Sequence, residues 1–349
     1  MTIVEDAEGT DEDGDAEPTA VTDGGAGTQD ASNSSVSSGS GPDAGAGTET
    51  TVDTSTTTTG ARDERTESGA DTDDYTRKKC VLITGCSSGI GRATAQAFLE
   101  EEWRVVATAR NTDDIADLAE AGCVTHELDV TDPDQVARTV ERTVELGGAI
   151  DCVVNNAGYA QMGPLEDVSM NDLHRQFDVN VYGPHRLTRA ALPHMRAQGK
   201  GRIINISSVL GRVAFPGTGA YSGTKFALEA MSDSLRGEVE EFDIDVVVVE
   251  PGPVDTSFVD RVDDELPDEN RTPAYEELYE LYDDAQLIGG GGPLAVDPEE
   301  VATAILQVST CVEPPARYPV GAVAQFGIYA RYLPDTVRDA AYGLLRKLV

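Results

Sequence analysis

Positive charge is what this chain has least of. Its 349 residues include 26 lysines and arginines against 63 aspartates and glutamates, a formal net charge of −37. Only five of the bases are lysines: Lys78, Lys79, Lys200, Lys225 and Lys347. Such a surface excludes the basic patches that nucleic-acid phosphates require, and it argues equally against anionic membrane surfaces. The deficit is spread along the chain: about 19 acids against two arginines stand in residues 1–76, roughly −17, and residues 77–349 supply roughly −20. Dense acid with little lysine suits a protein kept in solution by concentrated salt, where screening suppresses self-repulsion. A halophilic source is therefore expected.

Other absences narrow the class further. No apolar run of about 18 residues and no secretory-type apolar segment occurs, which leads to the expectation of a soluble, cytoplasmic protein. The five cysteines (Cys80, Cys86, Cys123, Cys152, Cys311) are odd in number and form no Cys-x-x-Cys pair. They read as small buried hydrophobes in a reducing compartment. The four histidines show no metal-ligand spacing, so no metal is expected. Residues 1–76 carry almost no large apolar side chain and cannot offset the entropy of becoming ordered. They are expected to be a disordered acidic tail. An interacting or solvating tail and an inert extension, even from a start codon assigned too far upstream, both stay open.

Residues 77–349 contain the folding signals. The apolar run Lys79–Thr84 leads directly into Gly85-Cys-Ser-Ser-Gly89-Ile-Gly91, and a helix with apolar positions at Ala93, Ala95, Ala97 and Phe98 follows. A strand, a glycine loop and a helix in that order can hold a pyrophosphate on the helix N-terminus. Gly85 permits the tight turn, Gly89 the close approach of backbone to phosphate, and Gly91 close helix–strand packing. A second strand, Arg104–Thr108, ends at Ala109-Arg110. A carboxylate at its end would grip the adenosine ribose hydroxyls; none is present, and Arg110 suits a 2′-phosphate instead. Further strands are expected at Val124–Leu128, ending at Asp129-Val130, and at Ile150–Val154, ending at Asn155-Asn156-Ala157-Gly158. Helices are expected at about 113–120, 133–146, 169–183 (carrying Asn180) and 184–198.

Strands and helices alternating at this spacing predict a doubly wound parallel sheet of about seven strands, Rossmann-like, with helices on both faces. Ligands of such sheets lie beyond the carboxyl ends of the strands. Gly85, Arg110, Asp129, Asn156 and Ser208 all follow strand ends and should share one crevice. The strand Asp245–Val249 meets Pro251-Gly252 and Thr256. Residues 257–295 are acidic and loop-like and are expected to be a substrate flap. A helix at about 298–309, a short strand at Arg317–Val320 and an amphipathic helical extension over 321–349 complete a single domain. No internal repeat is visible.

The stretch Gly201–Leu228 carries the chemistry. Its strand Ile203–Ile206 releases Ser207 and Ser208, and a loop with Gly211, Pro216, Gly217 and Gly219 delivers Tyr221, with Lys225 four residues on. On a helix those two share one face. A phenol of ordinary pKa about 10 is too weak a base at neutral pH, and an adjacent ammonium is expected to lower it toward the working range. Val209, Leu210, Phe215, Phe258 and Val259 are candidates for an apolar pocket lining.

Taken together, residues 79–320 resemble the short-chain dehydrogenase/reductase family. Thr84-Gly-Cys-Ser-Ser-Gly-Ile-Gly91 is similar to its coenzyme loop, Asn155-Asn-Ala-Gly158 to its strand-stabilising motif, and Asn180, Ser208, Tyr221 and Lys225 fall on its catalytic positions. The resemblance implies a coenzyme site formed by Gly85, Ser87, Ser88, Gly89, Ile90, Gly91, Arg110, Asp129, Val130, Asn156, Ala157, Gly158, Tyr221, Lys225, Pro251, Gly252 and Thr256. It implies hydride transfer between NADP(H), preferred here over NAD(H), and a small, apolar carbonyl or alcohol substrate. Tyr221 would be the general acid or base. Lys225 would lower its pKa and hold ribose hydroxyls. Ser208 would bind the substrate oxygen, and Asn180 would hold a water joining Lys225 to solvent. Glu250-Pro-Gly-Pro-Val254 and Tyr332-Leu-Pro-Asp335 look most like the hydroxysteroid and retinol dehydrogenase branch, and a homodimer or homotetramer stays open. The sequence departs from the family in its acidic tail, in Gly223-Thr224 and in Ser88, where NADP-preferring members often carry a base. Two other classes remain. One is a sugar-nucleotide epimerase or dehydratase, whose glycines are usually spaced Gly-x-x-Gly-x-x-Gly; the other is a catalytically idle NADP-binding sensor or scaffold.

Overall fold

The structure, a computed structural model, describes residues 77–256, 271–283, 292 and 294–345. These lie within one compact unit, Glu67–Val349. The expected tail over 1–76 and most of the expected flap lie outside the described residues.

Seven strands form one sheet: β1 (Cys80–Ile83), β2 (Arg104–Ala109), β3 (Val124–Glu127), β4 (Cys152–Asn155), β5 (Gly201–Ile206), β6 (Ile244–Pro251) and β7 (Arg317–Val320). Every pairing is parallel and the order is β3-β2-β1-β4-β5-β6-β7. The apolar runs noted in the sequence become central strands because both faces are covered, so both sets of alternating side chains are buried. In β1, Val81 and Ile83 point into one core with Phe98, Val105 and Ile305, and Cys80 and Leu82 point into the other with Val140, Leu187 and Ile203. A fully buried Leu or Ile of this kind stabilises the fold by about 1.5–3 kcal/mol.

The helices are α1 (Gly89–Glu100), α2 (Ala116–Ala121), α3 (Pro133–Gly147), α4 (Met170–Phe177), α5 (Gly183–Gln198), α6 (Gly219–Val239), α7 (Glu276–Asp283), α8 (Pro298–Thr310), α9 (Ala322–Gly327) and α10 (Asp335–Leu345). α1, α2 and α8 cover one face of the sheet, and α3, α5 and the end of α6 the other. Local chemistry sets the boundaries. Asp132 caps α3 by accepting from the amides of Asp134 (2.8 Å) and Gln135 (3.0 Å), and Pro133 occupies the first turn, where its missing N–H costs nothing.

Three expectations need correction. The helix at 113–120 starts as a 3-10 turn, Thr112–Ile115, because Asn111 accepts from Asp113 N and draws the chain into a tight turn. The helix over 169–183 is broken by a π segment, Asp178–Tyr182, which is where Asn180 sits; single π turns of this kind recur at functional sites. The flap is not loop throughout, since its described part contains a 3-10 turn, Pro273–Tyr275, and α7. That part is fastened to the loop after β4: Asp167 accepts from Thr272 N (3.0 Å) and Tyr279 Oη (2.6 Å), and Glu166 accepts from Tyr275 Oη (2.7 Å). The amphipathic extension is α9, a 3-10 segment and α10, and it leaves Phe326 and Tyr332 largely exposed. No described helix is long and apolar enough to cross a membrane.

Candidate active site

Because all strands run in parallel, every strand-end residue singled out in the sequence faces the same edge of the sheet. The order reverses at β1–β4, where β1 connects outward to β2 and the chain returns on the other side. That switch point opens a crevice, and the glycine loop lies in it. Gly85 and Gly89 adopt φ of +72° and +53°, a region that suits glycine. Gly91 has no such need, but a Cβ there would stand 2.2 Å from the Gly85 carbonyl oxygen and 2.5 Å from Asn156 Nδ2.

Thr84 and Asn156 hold the loop in this shape. Asn156 Nδ2 donates to Thr84 O (2.8 Å) and Gly85 O (3.1 Å), and Thr84 Oγ1 accepts from the amides of Asn156 and Ala157 at 3.0 Å each. Asn156 thus orients the loop with its side chain. Ser88 caps α1 without a side-chain capping bond, and the first turn contains no acid, so the helix offers its amides and positive dipole end to an anion. Ser87 and Ile90 line the same turn. Thr256 closes the far side, its Cγ2 only 2.9 Å from where a Gly89 Cβ would sit.

The remaining coenzyme candidates surround this loop. Arg110 is exposed at the end of β2 with no ion pair among the described residues. Asp129 spends Oδ1 on Thr131 N (2.9 Å) and Thr131 Oγ1 (2.7 Å), beside the buried Val130. Gly158 abuts Asn180, and Pro251-Gly252 ends β6, with Gly252 N donating to Val320 O at 2.9 Å. These residues fit a dinucleotide: a side-chain-free cradle, an uncompensated helix start and a basic side chain beyond β2.

The second cluster lies past β5. Ser208 Oγ accepts from Leu210 N (3.1 Å), which turns its own proton outward to the Tyr221 phenol. Tyr221 and Lys225 are both buried on α6, with Lys225 Nζ 5.5 Å from the Tyr221 ring centroid and donating to Ile206 O at 2.8 Å. Burial pushes the Tyr221 phenol well above its ordinary value, and the Ser208 hydroxyl opposes this only in part. The net shift of the phenol is therefore upward, opposite to the lowering expected, because loss of water around the phenolate is the largest influence on it. Burial also brings Lys225 down to about 8, with Glu229 pulling the other way. Val209, Leu210 and Val213 pack against Tyr221 with Ala160 and Met162, forming an apolar wall. Phe215 is on the outside, edge-on to Tyr342 at 5.0 Å, and Phe258 and Val259 lie outside the described residues.

The glycine loop and the strand-end residues follow the carboxyl ends of one parallel sheet, and a serine beside a Tyr-x-x-x-Lys pair follows β5. The chain also matches the family described as short chain dehydrogenase over residues 79–267. It belongs to the short-chain dehydrogenase/reductase family. Among similar proteins, the uncharacterised oxidoreductase YbbO of Escherichia coli is 35% identical over 264 residues, covering 75% of this chain and 93% of that one. The 3-ketodihydrosphingosine reductase of Bacteroides thetaiotaomicron is 34% identical over 264 residues, covering 75% and 95%. A short-chain dehydrogenase from Streptomyces avermitilis superposes with a TM-score of 0.65 at 35% identity, covering 78% of this chain and 97% of its own.

In this family member Asn180, singled out in the sequence, is held by partners that the sequence does not reveal. Asn180 is 1% exposed and uses both amide hydrogens, on Tyr159 O (2.8 Å) and Thr224 Oγ1 (3.1 Å), while its Oδ1 accepts from Tyr159 N (3.1 Å). Its side chain has no donor left for a water, and only the second lone pair of Oδ1 remains to accept from one. Thr224, a departure by motif, donates in turn to Tyr221 O (2.7 Å) and so ties Asn180 to α6. Glu229 was legible as the next step in the four-residue spacing Tyr221, Lys225, Glu229, Asp233. The four buried thiols are held protonated, burial raising Cys80, Cys86 and Cys152 to about 12 and Cys123 to about 11, whereas Cys311, expected to be buried, is exposed beyond the end of α8.

Proposed function

We propose that this chain is an NADP(H)-dependent reductase of apolar ketones or aldehydes, working in the reverse direction on the matching alcohols. One observation carries the reading: the Tyr221 phenol, hydrogen-bonded to Ser208 and on the same helix face as Lys225, opens onto the wall formed by Ala160, Met162, Val209, Leu210 and Val213. Bound in the cradle of Gly85, Gly89 and Gly91, the coenzyme supplies or accepts the hydride. The chain's own residues do the rest. Ser208 donates to the substrate oxygen, where negative charge grows in the transition state. Tyr221 passes its proton to that oxygen in reduction and takes it back in oxidation. A phenol raised by burial carries its proton at neutral pH, which suits reduction. Lys225 then recharges or stabilises the phenolate left behind. The apolar wall excludes water and favours a hydrocarbon-rich substrate, in keeping with the sphingoid ketone named for the Bacteroides relative and with the resemblance to hydroxysteroid and retinol dehydrogenases.

The preference for NADP(H) rests on Arg110, a planar fork of donors exposed beyond β2, and on Ala109, which leaves no carboxylate to repel a 2′-phosphate. The experiment is NADPH oxidation against a panel of steroid ketones, long-chain amino ketones, simple ketones and aldehydes in high-salt buffer, with NADH in parallel. Turnover of an apolar carbonyl with an NADPH/NADH ratio of kcat/KM above about ten, falling about tenfold in Arg110→Ala, is expected. A retained coenzyme without turnover on any carbonyl would favour an idle coenzyme-binding scaffold. A ratio indifferent to Arg110 would remove the NADP assignment.

A further inference from the structure

Behind the catalytic pair lies a group of buried charges with no part in the chemistry described so far. Tyr221, Lys225, Glu229 and Asp233 recur every four residues and form one stripe down α6. The stripe stays buried from Tyr221 through Glu229, whose side chain is 7% exposed, and surfaces at Asp233. Arg317, from β7, spans the two carboxylates: Nε donates to Glu229 Oε2 (2.9 Å) and Nη2 to Asp233 Oδ2 (2.6 Å). Its Nε also lies 3.5 Å from Glu250 Oε1, on β6. Glu250 is fully buried and accepts from Arg212 Nη1 (2.7 Å), in the loop that follows Ser208. A Cβ on Gly211 would stand 2.6 Å from Ser207 Oγ and 3.3 Å from Glu229 Oε1, so the chain leaves this space to the serine hydroxyl and the carboxylate.

The buried core of this group balances two carboxylates, Glu229 and Glu250, against two guanidinium groups, Arg212 and Arg317. Lys225 is the fifth charge and forms no ion pair with a carboxylate among the described residues; the nearest on its helix face is Glu229, one turn away. Removing Glu229 would leave three cations beside the single buried acid Glu250, an arrangement that expels a proton from the only cation able to lose one.

We propose that Glu229, held in place by Arg317, is a positioning residue that keeps Lys225 in its charged form beneath Tyr221. This rests on the reading of Tyr221 and Lys225 as the catalytic pair. Among the described residues, the charged or titratable groups around Glu229 are Lys225 and Asp233 on α6, Glu250 on β6, Arg317 on β7, and Arg212 through Glu250. Ser207 adds a neutral hydroxyl. Burial and the Glu250 charge raise Glu229, while Ser207 and Arg317 oppose this. Its ionisation is therefore the point at which acid would be felt by Lys225.

The scarcity of lysine makes a direct test practicable. With 13Cε-labelled lysine the chain gives five signals, and Lys225→Arg identifies one of them. In the wild type, the Lys225 signal should titrate near 8, with a second, smaller inflection on the acid side as Glu229 takes up its proton. In Glu229→Gln the main inflection should move down by about one pH unit, the acid-side inflection should vanish, and the alkaline limb of kcat/KM should follow. Glu229→Asp should restore part of the shift. A single inflection at the usual lysine value in the wild type, or an unmoved Lys225 signal in a folded Glu229→Gln, overturns the proposal. If Glu229→Gln does not fold, the two wild-type inflections still decide. These signals do not depend on turnover, so they fail separately from the assignment of Tyr221, which stands or falls on Tyr221→Phe. A Glu229 that merely anchored β7 would lower the melting temperature and leave the Lys225 signal in place.

Discussion

Gly91→Ala sets two opposing effects against each other on a single methyl. Alanine is the better helix former by about 1 kcal/mol, and burying one more carbon adds about 0.8 kcal/mol. Against this, the methyl would be 2.2 Å from Gly85 O and 2.5 Å from Asn156 Nδ2, where contact distances of about 3.5 Å are needed. Neither neighbour can give way cheaply: one is backbone at a residue with φ +72°, and the other holds Thr84 O and Gly85 O together. Helix and loop must part by about 1 Å, at an overpacking cost of about 1–3 kcal/mol and about 1 kcal/mol for each Asn156 bond lost. The cost wins by about 1–3 kcal/mol, a fall in melting temperature of about 2–10 °C for a fold of this size. The displaced loop should also weaken coenzyme binding at least tenfold. Gly237→Ala is the matched control, a glycine in the last turn of α6 with nothing within 4 Å of the added carbon. It should gain about 0.5–1 kcal/mol and leave the coenzyme untouched. Circular-dichroism melts and coenzyme fluorescence titrations in the same high-salt buffer measure all four quantities. A Gly91→Ala protein as stable as Gly237→Ala, with wild-type coenzyme affinity, would refute the contact argument.

Tyr221→Phe should lose at least 10²–10⁴-fold in kcat, the range typical of a general acid, while coenzyme affinity stays within about threefold; a variant with near wild-type kcat sinks the assignment. In the wild type, kcat/KM for ketone reduction should fall above about pH 8, as the Lys225 ammonium loses its proton; a profile flat to pH 10 would show that this charge is not needed. Thr224→Val keeps the shape but leaves one Asn180 amide hydrogen buried and unpaired, so denaturant melts should show a loss of about 1–3 kcal/mol; a loss under about 0.5 kcal/mol would mean water takes the place of the hydroxyl.

The strand-and-helix alternation and the glycine loop were legible because each follows from local pattern: apolar runs for doubly covered strands, glycines where backbone approaches backbone. The seven-strand parallel sheet matches that reading closely. What the sequence hid arises from contacts distant along the chain. The bond between Asn180 and Thr224 joins residues 44 apart, and only the fold shows that the unusual threonine supports the site. The sign of the Tyr221 shift was missed for a similar reason, because proximity to Lys225 can be read from spacing whereas the burial that outweighs it cannot. Glu229 lay between these cases. Its four-residue step from Lys225 was visible, but its partner Arg317 is 88 residues further on.

The strand order has a consequence for how the protein is made. β1 is the most apolar strand, and one of its neighbours, β2, emerges soon after it, but the other is β4, which begins at Cys152. During synthesis the β4-facing edge of β1 stays unpaired for roughly 70 residues, about 4–14 s at 5–20 residues per second. An open, hydrophobic strand edge is a template for wrong pairing, so this interval is the vulnerable stage of biogenesis. Ribosome-bound chains released near residue 145 should aggregate or recruit chaperones more readily than chains long enough to have paired β4.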